Sequence, residues 1–283
     1  IPGVVGPAQS VASWQRYDSD AAGSTGDAYA AAATGLIQIG ADGRFQRVAG
    51  GVGHGKPLLI SPAVSLDGKT VAGITADRRQ LWTQLVAGET PPLLVGRGTD
   101  LSRASFDRTG ALWWVDRGSG VFILQAGRPA TRVPVVGLAA GITPAAIEAI
   151  AIARDGTRAA LLIRHGGAVE PWVARIERNG TNERLAAPRR LETTVTNASD
   201  LAWQAQEQLA VLGTASPNGL GLQLLVISDG FGQVQAQPAV PGATTLAAGP
   251  GAATLLGVGG KVYTQNPNGW SALGAGNDPR YSG

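Results

Sequence analysis

Residues Ser65 to Ala72 read Ser-Leu-Asp-Gly-Lys-Thr-Val-Ala, and this stretch decides the fold. Two apolar residues precede it, Asp67-Gly68 supplies residues that favour a tight turn, and Thr70 begins a second run suited to a strand. The pattern is typical of a β-hairpin. A hairpin of this length cannot bury its apolar faces alone, so a chain that repeats it is expected to stack the copies around a shared core.

Turn glycines equivalent to Gly68 recur along the chain. Gly68, Gly110 and Gly156 are separated by 42 and 46 residues, within the roughly 40–50 residues expected for one four-stranded propeller blade. Six such units of four short strands can be assigned, beginning near residues 11, 62, 103, 148, 201 and 245. We therefore predict an all-β fold, a β-propeller of six four-stranded antiparallel blades, with five or seven blades as the alternatives.

Two local assignments are less regular than the rest. The third unit ends in a predicted strand over Thr131 to Val136. The stretch Pro144 to Ile152, rich in Ala and Ile, could form a short helix, but a loop leading into a strand fits the repeat better.

Composition limits the classes of function. The 283 residues are 44% hydrophobic, carry a net charge of +3 and contain no linker-like segment, so we expect one domain over residues 1–283. The charges are scattered, without the long basic run that a nucleic-acid surface needs. The absence of cysteine excludes disulfides, thiolate metal sites and cysteine nucleophiles. The sequence lacks an apolar stretch of membrane-spanning length, a signal peptide and an initiator methionine, so we expect it to belong to a longer precursor.

No motif in the sequence predicts catalysis, a metal or a cofactor. His54 and His165 are far apart in sequence and lack zinc-site spacing. The glycine-rich run Gly51 to Gly55 has no P-loop lysine, and Gly118-Ser119-Gly120 reads as a hairpin turn rather than a hydrolase elbow. An acidic loop lacks EF-hand spacing and is interpreted as a solvated loop; its carboxylates are Asp18, Asp20 and Asp27.

Aspartates and tryptophans that recur in the units are interpreted as structural. Asp67, Asp155 and Asp229 each precede a turn glycine, where the carboxylate can accept hydrogen bonds from backbone N–H groups. Five tryptophans fall on predicted strands and are expected to pack between blades. They are Trp82, Trp113, Trp172, Trp203 and Trp270.

Loops that join the second and third strands, together with loops between blades, crowd one face of a propeller, and we predict that this face binds a protein partner. Arginine mixed with aspartate suits such a surface. The candidate residues on the strand-joining loops are Asp77, Arg78, Arg79, Asp116, Arg117, Arg164 and His165. Connections between blades add Arg97, Arg103, Arg189 and Arg190.

Four stretches carry a family resemblance: Ile150 to Ala160, Asp200 to Trp203, Ile227 to Gly230, and the ending Trp270 to Gly283. Together they resemble the propeller domain of the LpqB lipoproteins, and the resemblance spans most of the chain. Two positions depart from the family pattern. Ala153 replaces the usual serine before Arg154-Asp155-Gly156, and the fifth unit has no Asp-Gly at Ala205 to Glu207.

The resemblance implies a biological setting. Family members are actinobacterial envelope lipoproteins in which a lipidated N-terminus and a GerMN-type domain precede the propeller, and they are associated with the MtrA–MtrB two-component system. It therefore implies an extracytoplasmic C-terminal domain, held at the cell membrane by a lipid anchor outside this fragment. The implied partners are the GerMN-type domain of the same chain and the extracellular domain of a sensor histidine kinase. The family supplies no catalytic motif.

The leading expectation is a non-enzymatic interaction module that modulates an MtrB-like sensor kinase and thereby affects cell division and envelope homeostasis. One alternative is a propeller enzyme that acts on a sugar or lactone in the central channel. It would need polar side chains on innermost strands that read Ala63-Val64-Ser65, Ala104-Ser105-Phe106 and Ile150-Ala151-Ile152. Another alternative is a small-ligand receptor for cell-wall fragments, which would need a deep polar pocket.

Overall fold

Antiparallel strands make up almost all of the regular structure. The protein, seen as a computed structural model, is described at residues 10–13, 28–32, 35–39, 45–49, 57, 59–86, 91–180, 182–204, 207–215, 219–228, 231–248, 254–258, 261–266 and 269–272. The strands of the first three blades are β1 Ser10–Ser13, β2 Ala28–Ala32, β3 Gly35–Ile39, β4 Phe45–Ala49, β5 Leu59–Val64, β6 Thr70–Thr75, β7 Gln80–Leu85, β8 Leu93–Arg97, β9 Ser105–Phe106, β10 Leu112–Asp116, β11 Gly120–Leu124 and β12 Thr131–Arg132. Those of the last three are β13 Val135–Val136, β14 Ile147–Ile152, β15 Arg158–His165, β16 Ala168–Asn179, β17 Asn182–Arg190, β18 Val195–Trp203, β19 Gln208–Ala215, β20 Gly219–Ser228, β21 Phe231–Pro238, β22 Ala243–Ala248, β23 Thr254–Val258, β24 Lys261–Asn266 and β25 Gly269–Ala272.

These strands form a closed ring of blades. Five sheets have four strands and one has five, and each four-stranded sheet is built from one continuous piece of chain in sequence order. The first strands of successive sheets (β1, β5, β9, β14, β18 and β22) contact one another in turn, and β1 also contacts β22. The first strand of every sheet is therefore innermost, and blade 1 closes the ring against blade 6. The predicted propeller of four-stranded antiparallel blades is confirmed.

Local hydrogen bonds explain why the Asp-Gly sequence makes the inner turn of a blade. The Asp67 carboxylate accepts hydrogen bonds from Ser65 Oγ at 2.6 Å and from the Lys69 N–H at 3.0 Å, and Gly68 takes the left-handed φ of 69°. Gly156 has the same φ of 69° although Ala153 brings no hydroxyl to its turn. Backbone bonds from Ala153 N to Arg158 O and from Gly156 N to Ala153 O hold that turn, so the loss of serine leaves its geometry unchanged.

The core lies between the blades. Trp113 and Trp172 belong to the cluster between blades 3 and 4, and Trp203 to the cluster between blades 4 and 5. Trp82 and Trp270 pack against the clusters of blade 2 and blade 6. Packing between blades is confirmed for Trp113, Trp172, Trp203 and Trp270. For Trp82 it stays a prediction, because the described cluster that it joins contains residues of blade 2 only.

The predicted strand Thr131 to Val136 is wrong as one element. It ends at Arg132, Pro134 follows, and Val135–Val136 crosses to blade 4, where it pairs in parallel with β17 as a fifth strand. Proline has no N–H to continue the ladder, and its own carbonyl accepts a hydrogen bond from Leu185 N at 2.9 Å. The linker therefore ties the outer edges of blades 3 and 4.

The stretch before the inner strand of blade 4 is mostly as predicted. One 3-10 turn over Pro144–Ala146 leads directly into the strand β14 at Ile147. Several residues considered in the sequence lie outside the described residues: Asp18, Asp20, Asp27, His54 with its glycine-rich run, Asp229-Gly230, Ala205 and the last eleven residues.

Candidate interaction face

The candidate face is formed by the turns that join the second and third strands of blades 2, 3 and 4. These are the β6–β7, β10–β11 and β15–β16 turns. All seven residues predicted for partner binding lie in these turns or at the strand ends beside them. The structure shows what each side chain contacts.

In the β6–β7 turn, Asp77 serves the turn itself. Its Oδ1 accepts hydrogen bonds from Thr75 Oγ1 at 2.6 Å and from the Arg79 N–H at 3.1 Å. These two donors hold the pKa of the exposed Asp77 carboxyl below its ordinary value. Asp77 therefore positions the residues that follow it.

Arg78 reaches from this turn across the connection to blade 3. Its backbone has the left-handed φ of 59°, uncommon for a non-glycine residue. Arg78 Nε donates to the carbonyl of Leu101 at 3.0 Å and lies 2.8 Å from Asp100 Oδ1. The strained backbone is maintained by contacts on the neighbouring connection.

Ion pairs, with one hydrogen bond to a backbone carbonyl, link Asp100 to blades 3 and 4. Asp100 Oδ2 lies 3.3 Å from Arg117 Nη1, and Arg117 Nε donates to the carbonyl of Glu148 at 3.1 Å. The Glu148 carboxylate pairs in turn with Arg164. We call Arg78, Asp100, Arg117, Glu148 and Arg164 the ion-pair chain. It joins three of the predicted residues through two acids and spans three blades.

Asp116 fixes the position of Asp100. Only 7% of Asp116 is exposed, and its Oδ1 accepts hydrogen bonds from Thr99 N at 2.9 Å, Thr99 Oγ1 at 3.1 Å and Asp100 N at 3.0 Å. Burial opposes ionisation, but these donors prevail and hold the pKa of Asp116 below its ordinary value. Gly98 is required beside it, since a Cβ there would lie 2.4 Å from Leu101 Cδ2 and 2.8 Å from Asp116 Cγ.

Glu170 lies between two of the predicted residues at the outer part of blade 4. Glu170 Oε1 lies 3.0 Å from Arg190 Nη2, and Glu170 Oε2 lies 3.6 Å from His165 Nδ1. Arg79, Arg97 and Arg189 are exposed and form no ion pair with another described residue. The face thus combines arginines that form ion pairs with arginines that form none with a described residue.

Sequence reasoning missed Asp100, Glu148 and Glu170. Each lies 16 to 22 residues from an arginine that it holds on another turn or strand. The run Gly-Arg-Gly-Thr-Asp at 96–100 was a usable signal for Asp100, because two glycines before a potential cap mark a close backbone approach. Glu148 and Glu170 sit in strands and give no such signal.

Arg103, which the sequence assigned to the same face, is instead in the central channel. Its Nη1 donates to the Leu246 carbonyl at 2.8 Å, and its Nη2 lies 2.9 Å from the Leu201 carbonyl and 2.8 Å from Asp200 Oδ1. Asp200 Oδ2 accepts a hydrogen bond from Leu246 N at 2.7 Å. Burial raises the pKa of the Asp200 carboxyl, against the opposing effect of the Arg103 charge. The pair satisfies inner-strand backbone groups and links blade 3 to blades 5 and 6.

A cavity of about 120 Å³ remains around the inner strands of blades 2 to 6. Its walls include the alanines Ala63, Ala104, Ala151, Ala202 and Ala247. The space is small for a sugar or lactone, since ligand pockets usually span about 300–1,000 Å³. Arg103, which lines the cavity, and Asp200 are bonded to backbone groups and to each other, and Arg154 adds a second guanidinium group to the lining.

Within the described part of the chain, no group of three or more acidic or histidine side chains could hold a metal ion. No helix there is long and apolar enough to cross a membrane.

Comparison with known proteins identifies the family. The family model described as the lipoprotein LpqB beta-propeller domain matches residues 35–281. The chain belongs to the LpqB propeller domain family. Lipoprotein LpqB of Thermobifida fusca is 27% identical over 91% of this chain and 47% of its own length. Lipoprotein LpqB of Streptomyces coelicolor is 30% identical over 62% of this chain and 31% of its own length. This LpqB propeller thus spans less than half the length of these curated relatives.

Solved structures agree on the fold. TolB from Acinetobacter baumannii superposes with a TM-score of 0.60 at 15% identity, covering 96% of this chain and 65% of that one. A chain of the nidogen/laminin complex gives 0.60 at 11% identity, covering 82% and 86%. At such identities, the likeness of the LpqB propeller to these structures concerns fold alone.

Proposed function

We propose that this LpqB propeller is a non-enzymatic, extracytoplasmic interaction module of an envelope lipoprotein. Its partner is the extracellular domain of an MtrB-like sensor histidine kinase, and through that contact it modulates signalling, cell division and envelope homeostasis. A lipid anchor outside these 283 residues holds it at the cell membrane, and the GerMN-type domain of the full-length chain lies beside it. Membership of a lipoprotein family supports the setting.

The ion-pair chain is the observation that carries the binding part of the proposal. Three blades contribute to it, and each of its guanidinium groups is bonded to an acid or a carbonyl on another turn or strand. These bonds restrict the arginine side chains. Binding to a surface of this kind loses less side-chain entropy than binding to free arginines. Arginine is also enriched among residues that dominate protein interfaces. Arg79 and Arg97, beside the ion-pair chain, add positive charge to which acidic residues of a partner can bind.

Modulation requires different affinities for two states of the kinase. A propeller that bound the active and inactive ectodomain equally would shift nothing, whatever its affinity. A rigid face suits this task, because it fits one arrangement of the partner and not another.

The proposal is tested by titrating the 283-residue chain against the isolated ectodomain of the kinase, with the GerMN-type domain also supplied. Charge reversal by Arg79→Glu or Arg164→Glu is expected to weaken binding at least tenfold. Arg175→Glu is the matched control, because Arg175 is exposed on β16 away from the three turns. No interaction at high micromolar concentration would contradict the proposed partner, and equal losses for all three variants would contradict the proposed face.

A further inference from the structure

The crevice between blades 2 and 3 is closed in one half and open in the other. Near the candidate interaction face, Trp114 and Phe122 stack with ring centroids 5.8 Å apart and fill the space. Toward the Asp-Gly turns at the opposite end, the crevice widens into a groove of about 820 Å³. A volume of this size is typical of ligand-binding clefts.

The side chains on the two walls explain why the groove stays open. Blade 3 contributes Phe106, Leu112 and Leu124 to one wall. The opposite wall on blade 2 carries Thr70 and Thr83, which are too small to reach them. Leu93 borders the groove and is 65% exposed, the largest exposed fraction among the large apolar side chains that the structure describes. Apolar surface is therefore accessible there, and no described element covers it.

The outer strand of blade 3 leaves one side of the groove uncovered. β12 pairs with only Phe122 and Ile123 of β11, and Leu124 has no partner on β12. The chain instead turns at Gln125 to Ala130, which form the rim. A groove open at its outer side admits an extended segment that passes between the blades.

Charges on the rim favour an acidic occupant. Asp107 is buried and already bonded to Trp113 Nε1 and Arg178 Nη2, and Asp67 is bonded within its own turn. Arg108 and Arg128 are exposed at the turns of blade 3, and neither pairs with a carboxylate of another described residue. The Arg128 guanidinium donates to the amide oxygen of Gln125 at 3.3 Å, and the Gln125 amide nitrogen donates to Glu183 Oε1. The rim therefore presents two arginines that form no ion pair with a described residue, with Glu183 one hydrogen bond beyond Arg128.

We propose that this groove binds an extended, acidic segment of a partner protein, with apolar side chains in the groove and carboxylates at Arg108 and Arg128. The site lies on the opposite end of the blades from the ion-pair chain. It is therefore a second contact surface, independent of the kinase-binding proposal.

The test uses two synthetic peptides with the same dye, acetylated alternating Glu-Leu and Lys-Leu hexapeptides, titrated against the 283-residue chain by fluorescence anisotropy. The acidic peptide is expected to bind at least tenfold more tightly. Thr83→Trp fills the groove, Leu93→Ser removes its exposed apolar side chain and Arg128→Glu reverses a rim charge. Each should weaken the acidic peptide at least fivefold. Leu85→Ser is the matched control, since Leu85 is 45% exposed on the same blade but outside the groove.

Several results would overturn the proposal. These are equal affinity for both peptides, or an acidic-peptide affinity that Leu93→Ser and Arg128→Glu leave unchanged. A dimer in sedimentation that Leu93→Ser converts to monomer would assign the groove to a second copy of the chain. Displacement of the peptide by anionic phospholipid vesicles, but not neutral ones, would assign it to a membrane. Circular dichroism verifies that each variant folds. If Thr83→Trp fails to fold, Leu93→Ser still tests the groove, because Leu93 is a surface residue.

Discussion

At the scale of single residues, aspartates with short hydrogen bonds to their own turns organise this propeller. Asp67 and Asp77 accept from a hydroxyl two residues earlier and from an N–H two residues later, at opposite ends of the same blade. This shared geometry shows that Asp77, one of the residues predicted to bind a partner, holds its own turn and leaves the neighbouring arginines for the proposed contact.

Asp67→Ala is expected to lower the free energy of unfolding by about 1 kcal/mol, because Ser65 Oγ and Lys69 N lose a shared acceptor. Asp67→Asn keeps an acceptor oxygen and should cost less. Urea unfolding of the three proteins measures the difference. Equal losses for the two variants would mean that charge, rather than the hydrogen bonds, stabilises the turn.

Asp116 predicts a pH dependence. Its pKa is lower in the fold than in the unfolded chain, so its contribution to stability is present above the unfolded value of about 3.9 and is lost as pH falls through the lower folded value. Asp116→Asn should therefore lose less stability than the parent chain as the pH falls below about 4. Unfolding curves collected from neutral pH to pH 3 check this. Parallel curves would exclude Asp116 as a source of acid sensitivity.

At the scale of elements, the parallel strand β13 joins the outer edge of blade 4 to the end of blade 3. Val135 packs against the core between these blades, whereas Val136 is 49% exposed. Consecutive residues of one short strand thus face different surroundings.

Val135→Asp is expected to lower the free energy of unfolding by about 1–3 kcal/mol, because it places a carboxylate against an apolar core. Val136→Asp should change it by less than about 0.5 kcal/mol. Hydrogen exchange at the Leu185 N–H, which donates to Pro134 O, should speed up only in the first variant. Similar exchange rates in both would show that β13 adds little to blade 4.

Many strands were predictable because the turns beside them contain Asp-Gly or a glycine pair, as at Asp67-Gly68, Asp155-Gly156 and Gly166-Gly167. β13 was not, because Val135 and Val136 continue a strand-like run and only the pairing partner decides their sheet. The same limit applies to the candidate face. Arg78 and Arg117 were found from their loops, but Arg103 was misplaced, because sequence does not show that its side chain crosses the channel to Asp200.

At the scale of the whole molecule, the Arg103–Asp200 pair links blades that are far apart in sequence. The two residues are 97 positions apart, and their side chains are 20% and 15% exposed. An intact pair of this kind adds little to the free energy of unfolding. Removal of one partner lowers that free energy strongly, because the other charge stays buried without a partner.

Arg103→Ala is expected to lower the free energy of unfolding by about 3–5 kcal/mol. The exposed Arg97→Ala, its control, should change it by less than about 0.5 kcal/mol. The loss should be larger at pH 8 than at pH 5: without Arg103 the raised pKa of Asp200 rises further, and protonation at lower pH removes the buried charge. A loss independent of pH would point to the backbone bonds instead.

Closure of the ring has a consequence for how the protein folds. Every blade is built from its own continuous stretch of chain, and no strand among the described residues is exchanged between blades 1 and 6. The strands of each blade can therefore pair locally, before distant parts of the chain are brought together. Ring closure is a long-range step: β22 contacts β1 across more than 200 residues, so we expect it to be slow compared with pairing inside a blade.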